Sequence, residues 1–126
     1  MQRDSRAFLW DVREAVLAIQ AFTAGMDGAA YAANEMAQAA VERKFEIIGE
    51  ALNQLTKLDS ALASRIPDLP QIVVFRNQLI HGYATVNVGT VWNVLQNALP
   101  PLVGAVQALL AELEQPQSPD SPGKPP

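Results

Sequence analysis

The run Val41-Glu42-Arg43-Lys44-Phe45-Glu46-Ile47-Ile48-Gly49-Glu50-Ala51-Leu52-Asn53-Gln54-Leu55 decides how the chain folds. Val41, Phe45, Ile48, Leu52 and Leu55 recur at steps of three and four, the period of an α-helix with one apolar side. Ile47 and Ala51 widen that stripe, and Met36 and Ala40 extend it upstream. A helix apolar over so much of its circumference packs against several neighbours, so the spacing predicts a central helix from Asn34 to Leu58. Gly49 lies in its middle, where glycine costs about 1 kcal/mol relative to alanine. Close approach of another helix is the reading that accounts for it.

Working outward, the segments on either side also carry helical signals. Asp4 or Ser5 can cap a first helix whose stripe is Phe8, Leu9, Val12, Val16, Ile19 and Phe22. Gly25 and Asp27-Gly28 stop it, and Asp27 can cap a short turn through Ala29–Ala33. After the central helix, Asp59-Ser60 starts a short helix reaching about Ile66, and Pro67-Asp68-Leu69-Pro70 is a connector. Pro70 suits the first turn of a helix from Pro70 to His81, with Gly82 as its left-handed terminator. Ile72-Val73-Val74-Phe75 could also be a strand, but no second strand candidate exists to pair with it. Residues 84–90 read as a loop with Asn87 or Thr90 as cap. The last helix runs from Val91 to about Gln115, and Pro100-Pro101 should kink or restart it. From Pro116 onward the sequence is a Pro-rich tail with nothing to bury, where disorder is expected. The expected fold is all-α: an antiparallel bundle of four to five main helices, with a helical domain over residues 1–115 and a tail over 116–126.

The chain's 126 residues allow one domain. Hydrophobic residues make up 49%, enough for a substantial core. No cysteine is present, which excludes disulfides, zinc–thiolate sites and thiol catalysis. No apolar run approaching the roughly 20 residues of a bilayer span is evident, and Met-Gln-Arg-Asp-Ser-Arg does not open a signal peptide. A soluble cytoplasmic protein is expected. The formal net charge of −4 argues against a broad basic face for coating nucleic acid. Among the scattered basic residues only Arg43 and Lys44 are adjacent, so any RNA footprint should be short, or built from two chains.

Chemistry concentrates in Arg76-Asn77-Gln78-Leu79-Ile80-His81-Gly82-Tyr83, which holds the chain's one histidine. Metal-free RNA cleavage needs a proton removed from a 2′-hydroxyl, a proton given to the leaving 5′-oxygen, and charge stabilised on the phosphate. An imidazole with an unperturbed pKa of about 6.5 suits the proton transfers. A guanidinium, always charged and forked, suits the phosphate. Five residues of helix put Arg76 and His81 about 140° apart. Either Gly82 breaks the helix so that His81 swings round, or the two line a groove made with another helix. If acid and base are both imidazoles, the second must come from another copy, which points to a symmetric dimer. The plainer reading is a histidine that caps a helix and an arginine that pairs with a carboxylate; spacing alone favours it.

Arg76-x-x-x-x-His81-x-Tyr83 resembles the motif of the HepT-like toxins, a branch of the HEPN superfamily of helical nucleases. The stretch Ala40–Ala51 is similar to the family's Ala-Val-x-Arg-x-x-x-Ile-Ile-Gly-Glu-Ala helix, about 30 residues before the motif. The Trp92 region with its following Leu-Pro fits as well, so the likeness covers Asp4 to Glu114. Many relatives carry a tryptophan where Gln71 follows Pro70 here. The resemblance implies a metal-independent endoribonuclease without cofactor, active as a homodimer. It implies a toxin of a type VII-like toxin–antitoxin pair, whose partner is an MntA-like nucleotidyltransferase antitoxin that AMPylates the motif tyrosine. On this chain Arg76 would stabilise the phosphate, His81 would be the general acid or base, Asn77 would position the site or the RNA, and Tyr83 would be the modified hydroxyl. AMP beside Arg76 would block the groove and compete for its charge. The alternative is a non-catalytic HEPN module that docks, and is modified by, a nucleotidyltransferase.

Glu50, with Arg43, Glu46 and Asn53 near its line, could orient Arg76 or His81, or belong to an intrahelical ion-pair face; for Glu46 the ion-pair face is preferred. Asp11 and Glu14 have no third ligand to suggest a metal. Trp92, Phe8 and Phe45 are expected in the core rather than as base-stacking platforms, and Tyr31 in packing.

Overall fold

In a computed structural model of the chain, residues 4–82 and 86–114 are described. They form α1 (Ser5–Phe22), α2 (Gly28–Ala32), α3 (Glu35–Leu58), α4 (Ser60–Ala63), α5 (Leu69–His81) and α6 (Val88–Glu114). No strand occurs among the described residues, so Ile72–Phe75 is helical and the fold is all-α. The expected Pro-rich tail lies outside the described residues.

The starts of the helices follow one local rule. Asp4, Asp27, Asn34 and Asp59 each accept a hydrogen bond through a side-chain oxygen from a backbone N–H three residues on, at 2.8–3.1 Å. Asn87 does the same for Thr90 at 2.8 Å. Each satisfies a donor that the first turn would otherwise leave orphaned. Asn87 is therefore the cap of α6, which begins at Val88 rather than Val91. The α5 entry differs: Asp68 adopts a left-handed φ of 60° with no side-chain cap bond, and Pro70 occupies the first turn. Aspartate tolerates that conformation better than most side chains.

As expected, α3 is central. It packs against α1, α2, α4 and α5, while α6 covers α1 and α2. Its buried residues are Ala37, Val41, Phe45, Ile48, Gly49, Ala51, Leu52 and Leu55. Phe45 meets Phe75 of α5 edge-on at 5.1 Å between ring centroids, and Tyr31 of α2 meets Trp92 of α6 at 5.1 Å. Each aromatic pair locks two helices with large buried area and favourable ring geometry. The core expectations for Phe45 and Tyr31 hold, and Phe8 and Trp92 pack partly buried against the core.

Four expectations are corrected. Met36 is 83% exposed and Phe22 41% exposed, because the residues that turn inward there are their successors Ala37 and Thr23, both buried and about 100° further round. Gly82 ends α5 with φ −118°, not left-handed; its N–H donates to the Gln78 carbonyl at 2.7 Å, which closes the last turn. Pro100 and Pro101 do not restart α6, which is helical through both. The carbonyls that lose their donors belong to exposed Gln96 and Asn97, where water can serve them, while Leu99 and Leu102 are fully buried. Finally, α6 is long and apolar enough to cross a membrane by length and composition. Its apolar side, Val91, Leu95, Leu99, Leu102, Val106, Leu109 and Leu110, is buried in the bundle core, which accounts for that composition without a bilayer.

Candidate active site

The site is built where α5 crosses α3 at Gly49. A Cβ placed on Gly49 would run into Cβ and Cγ of Arg76 and lie 3.1 Å from its Cδ. The missing side chain is thus the slot that takes the arginine's stem. Beyond the slot, the Arg76 guanidinium donates through Nη2 to Oε1 of Glu50 in an ion pair. Through Nη1 it donates to Oδ1 of Asn77 at 2.6 Å. The other oxygen of Glu50 accepts from Nε2 of Gln54 at 2.9 Å, one turn along α3. The Arg76 side chain is only 14% exposed, against 54% for Glu50. Its Nε is buried with no hydrogen-bond partner. An arginine side chain so largely buried depends on its carboxylate partner more than a surface arginine would.

His81 is exposed and is the last residue of α5. Since α5 stays helical through it, the swing round Gly82 does not occur, and Arg76 and His81 keep the roughly 140° of a regular helix. Within one chain they are not brought together. Asn77 changes the picture: it is four residues before His81, and such pairs are neighbours on a helix face. The carbonyl oxygen of Asn77 is engaged by Arg76, and its amide N–H groups are not used in that bond. Glu50, Arg76 and Asn77 are thus linked in that order from α3 to α5, and His81 follows four residues on. Tyr83 lies outside the described residues.

Sequence reasoning singled out Gly49, Glu50, Arg76, Asn77 and His81 but not their order of contact. For Glu46, the intrahelical pair is what occurs, with Arg43 at 3.2 Å. Arg13 pairs with Glu14 at 3.2 Å and Arg65 with Glu112 at 2.7 Å, so several of the few cations are already matched by acids. No three His, Asp or Glu side chains converge as a metal would require among the described residues. One feature passed unnoticed in the sequence: Trp10 is 47% exposed, with the Arg13 guanidinium 5.6 Å from its ring centroid. Its place beside the Leu9 stripe was the available signal.

Residues 12–109 match the family profile described as "Ribonuclease HepT-like". "Putative RNase MJ0125" of Methanocaldococcus jannaschii is 30% identical over 116 residues, covering 90% of this chain and 97% of that protein. "Probable ribonuclease HepT" of Thermococcus cleftensis is 31% identical over 109 residues, covering 86% of this chain and 98% of that protein. "Putative RNase MJ1380" of Methanocaldococcus jannaschii is 31% identical over 108 residues, covering 84% and 96%. No solved structure matches the chain.

Proposed function

This chain belongs to the HepT-like ribonuclease family, and from that premise we propose that it is a metal-independent endoribonuclease toxin whose site is Arg76, Asn77 and His81. Arg76 stabilises charge on the scissile phosphate, His81 moves the proton, and Asn77 holds the RNA phosphate or the imidazole through its free amide. Glu50 is the orienting residue. The observation that carries this reading is the Arg76 socket: a glycine, a carboxylate and an amide from two helices fix the guanidinium of one largely buried arginine side chain. Preorganised charge of that kind is worth most where a phosphate acquires charge in the transition state.

One imidazole per chain leaves one of the two proton transfers to a second copy. The outward side of α5 suits that copy: Val74 is 55% and Ile80 37% exposed, and a recess of about 280 Å³ is lined by Pro70, Gln71, Val74, Phe75 and Gln78. Two such faces across a twofold axis would supply two Arg76/His81 sets to one cleft. Tyr83 is the acceptor of AMP from an MntA-like antitoxin in this reading, and the added phosphate competes with RNA for Arg76.

A second reading has its own support. Both terminal nitrogens of Arg76 are engaged by the protein, as they would be in a purely structural arginine of a non-catalytic module. RNA incubated in EDTA with the wild type and with His81→Ala separates the two. The nuclease reading expects cleavage with cyclic phosphate ends by the wild type alone; equal cleavage by both proteins removes His81 from the mechanism. Tyr83→Phe should still cut RNA but accept no AMP, and a labelled Tyr83→Phe protein would place the acceptor elsewhere.

A further inference from the structure

A recess of about 570 Å³ lies away from Arg76 and is lined by Asp4, Arg6, Ala7, Trp10, Asp11 and Glu114. It joins the start of α1 to the end of α6. Its apolar element is the half-exposed indole of Trp10, and Leu113 on the last turn of α6 is 43% exposed. Three carboxylates against one guanidinium give it a negative balance that repels a nucleic-acid phosphate. An uncharged ligand with an apolar edge suits it better.

The chain itself carries such a ligand, attached at the rim. Beyond Glu114 the sequence continues Gln115-Pro116-Gln117-Ser118-Pro119-Asp120-Ser121-Pro122-Gly123-Lys124-Pro125-Pro126. Prolines stand at 116, 119, 122 and 125, every third residue. The polyproline II helix has three residues per turn, so in that conformation this spacing would align the prolines along one edge. Such an edge is what exposed aromatic rings bind, at small entropic cost because the proline backbone is already restricted. At about 3.1 Å per residue, a polyproline II segment as far as Pro119 reaches about 15 Å from Glu114. The segment from Gln115 to Pro119 is uncharged, so it meets no repulsion from Asp4, Asp11 or Glu114. Tethering makes the encounter intramolecular, with an effective concentration in the millimolar range for a short linker.

We propose that the recess around Trp10 is an intramolecular docking site for the proline edge of residues 115–119, with Pro116 and Pro119 against the indole.

The test uses the full chain and the Trp10 indole N–H resonance, assigned with Trp10→Phe. The comparison is between the wild type and the double variant Pro116→Ser/Pro119→Ser, in which the proline edge is gone and the folded core is untouched. Docking predicts that the Trp10 resonance moves in the double variant while that of Trp92 stays in place. It also predicts that a peptide of sequence 115–126, added in millimolar excess to the double variant, moves the Trp10 resonance back. Superimposable Trp10 resonances in wild type and double variant overturn the proposal. So does a wild-type position that reverts to that of the double variant on dilution, since the tail would then be seated on a second copy.

Discussion

Arg76 lies in a slot that exists because residue 49 has no side chain. Two effects oppose each other in Gly49→Ala. Helix propensity favours alanine by about 1 kcal/mol, while the new methyl group collides with Cβ and Cγ of Arg76, parts of the side chain that cannot move without α5. Overpacking of this kind costs about 1–3 kcal/mol. The expected outcome is a lower Tm together with loss of most ribonuclease activity, because the guanidinium leaves Glu50 and Asn77. A thermal melt that rises by the propensity gain would show that the slot is not needed.

Glu50 is the partner on which the Arg76 position depends. Glu50→Gln keeps the shape but removes the charge facing Arg76, whose side chain is 14% exposed, and leaves one amide oxygen where two carboxylate oxygens accepted from Arg76 and Gln54. We expect RNA cleavage to fall by about tenfold, the equivalent of about 1.4 kcal/mol, mainly in kcat because the residue positions a group that acts on the transition state. A rise in activity, with tighter RNA binding, would instead make Glu50 a competitor that the phosphate must displace.

Helix order and the central place of α3 were legible in the sequence because they depend on local periodicity and on side chains that cap their own helix. The Val41-to-Leu55 stripe and the Asp27 cap needed no knowledge of tertiary contacts. What escaped depends on neighbours. Met36 passes for part of the stripe, yet Ala37, one residue on, is the one that faces the core. Pro100-Pro101 reads as a break, yet burial of Leu99 and Leu102 on either side holds α6 together. The Arg76-to-Asn77 bond was hidden for another reason: adjacent residues on a helix do not face each other, and only the Gly49 slot and the Glu50 carboxylate turn the guanidinium so that it reaches Asn77.

Glu42 carries a charge that the fold opposes. Burial, and secondarily Glu46, raises its carboxyl above the ordinary glutamate value. The folded state thus holds the proton more tightly than the unfolded chain does. The resulting stability is full below the unfolded value and is lost as pH rises through the raised folded value. Glu42→Gln should therefore melt higher than wild type at pH 7, and the gap should close as both are taken to acid. Glu112 works with the opposite sign, since the hydrogen bond from Arg65 lowers its carboxyl. Glu112→Gln should lose a little stability at neutral pH and nothing in acid. Melting curves of the two variants across pH 3–8 check both signs.

Tyr31 is fully buried, and its hydroxyl has no hydrogen-bond partner. Burial, and secondarily Glu42, pushes that hydroxyl up to about 12, so it stays protonated. A desolvated polar group without a partner costs about 1–3 kcal/mol. Tyr31→Phe keeps the ring contact with Trp92 and removes the cost, so the variant should be more stable by about 1 kcal/mol. Chemical denaturation with an unchanged slope would confirm it; a loss of stability would mean that the hydroxyl is bonded to a buried water.

Pro100 and Pro101 are the last point at which local rules and packing disagree. An interior proline is about 3 kcal/mol worse than alanine in a helix, yet α6 runs through two of them with both side chains exposed. Neither proline fills the core, so little packing is lost on replacing them. Pro101→Ala restores a donor to the Asn97 carbonyl and should raise stability by about 1–3 kcal/mol. The double variant Pro100→Ala/Pro101→Ala should gain less than the sum, because adjacent sites share one local distortion of the helix. The opposite result, destabilisation by either change, would mean that the prolines set a bend which brings Leu102, Val106, Leu109 and Leu110 onto α1. Denaturant unfolding of the three variants beside the wild type distinguishes the two cases.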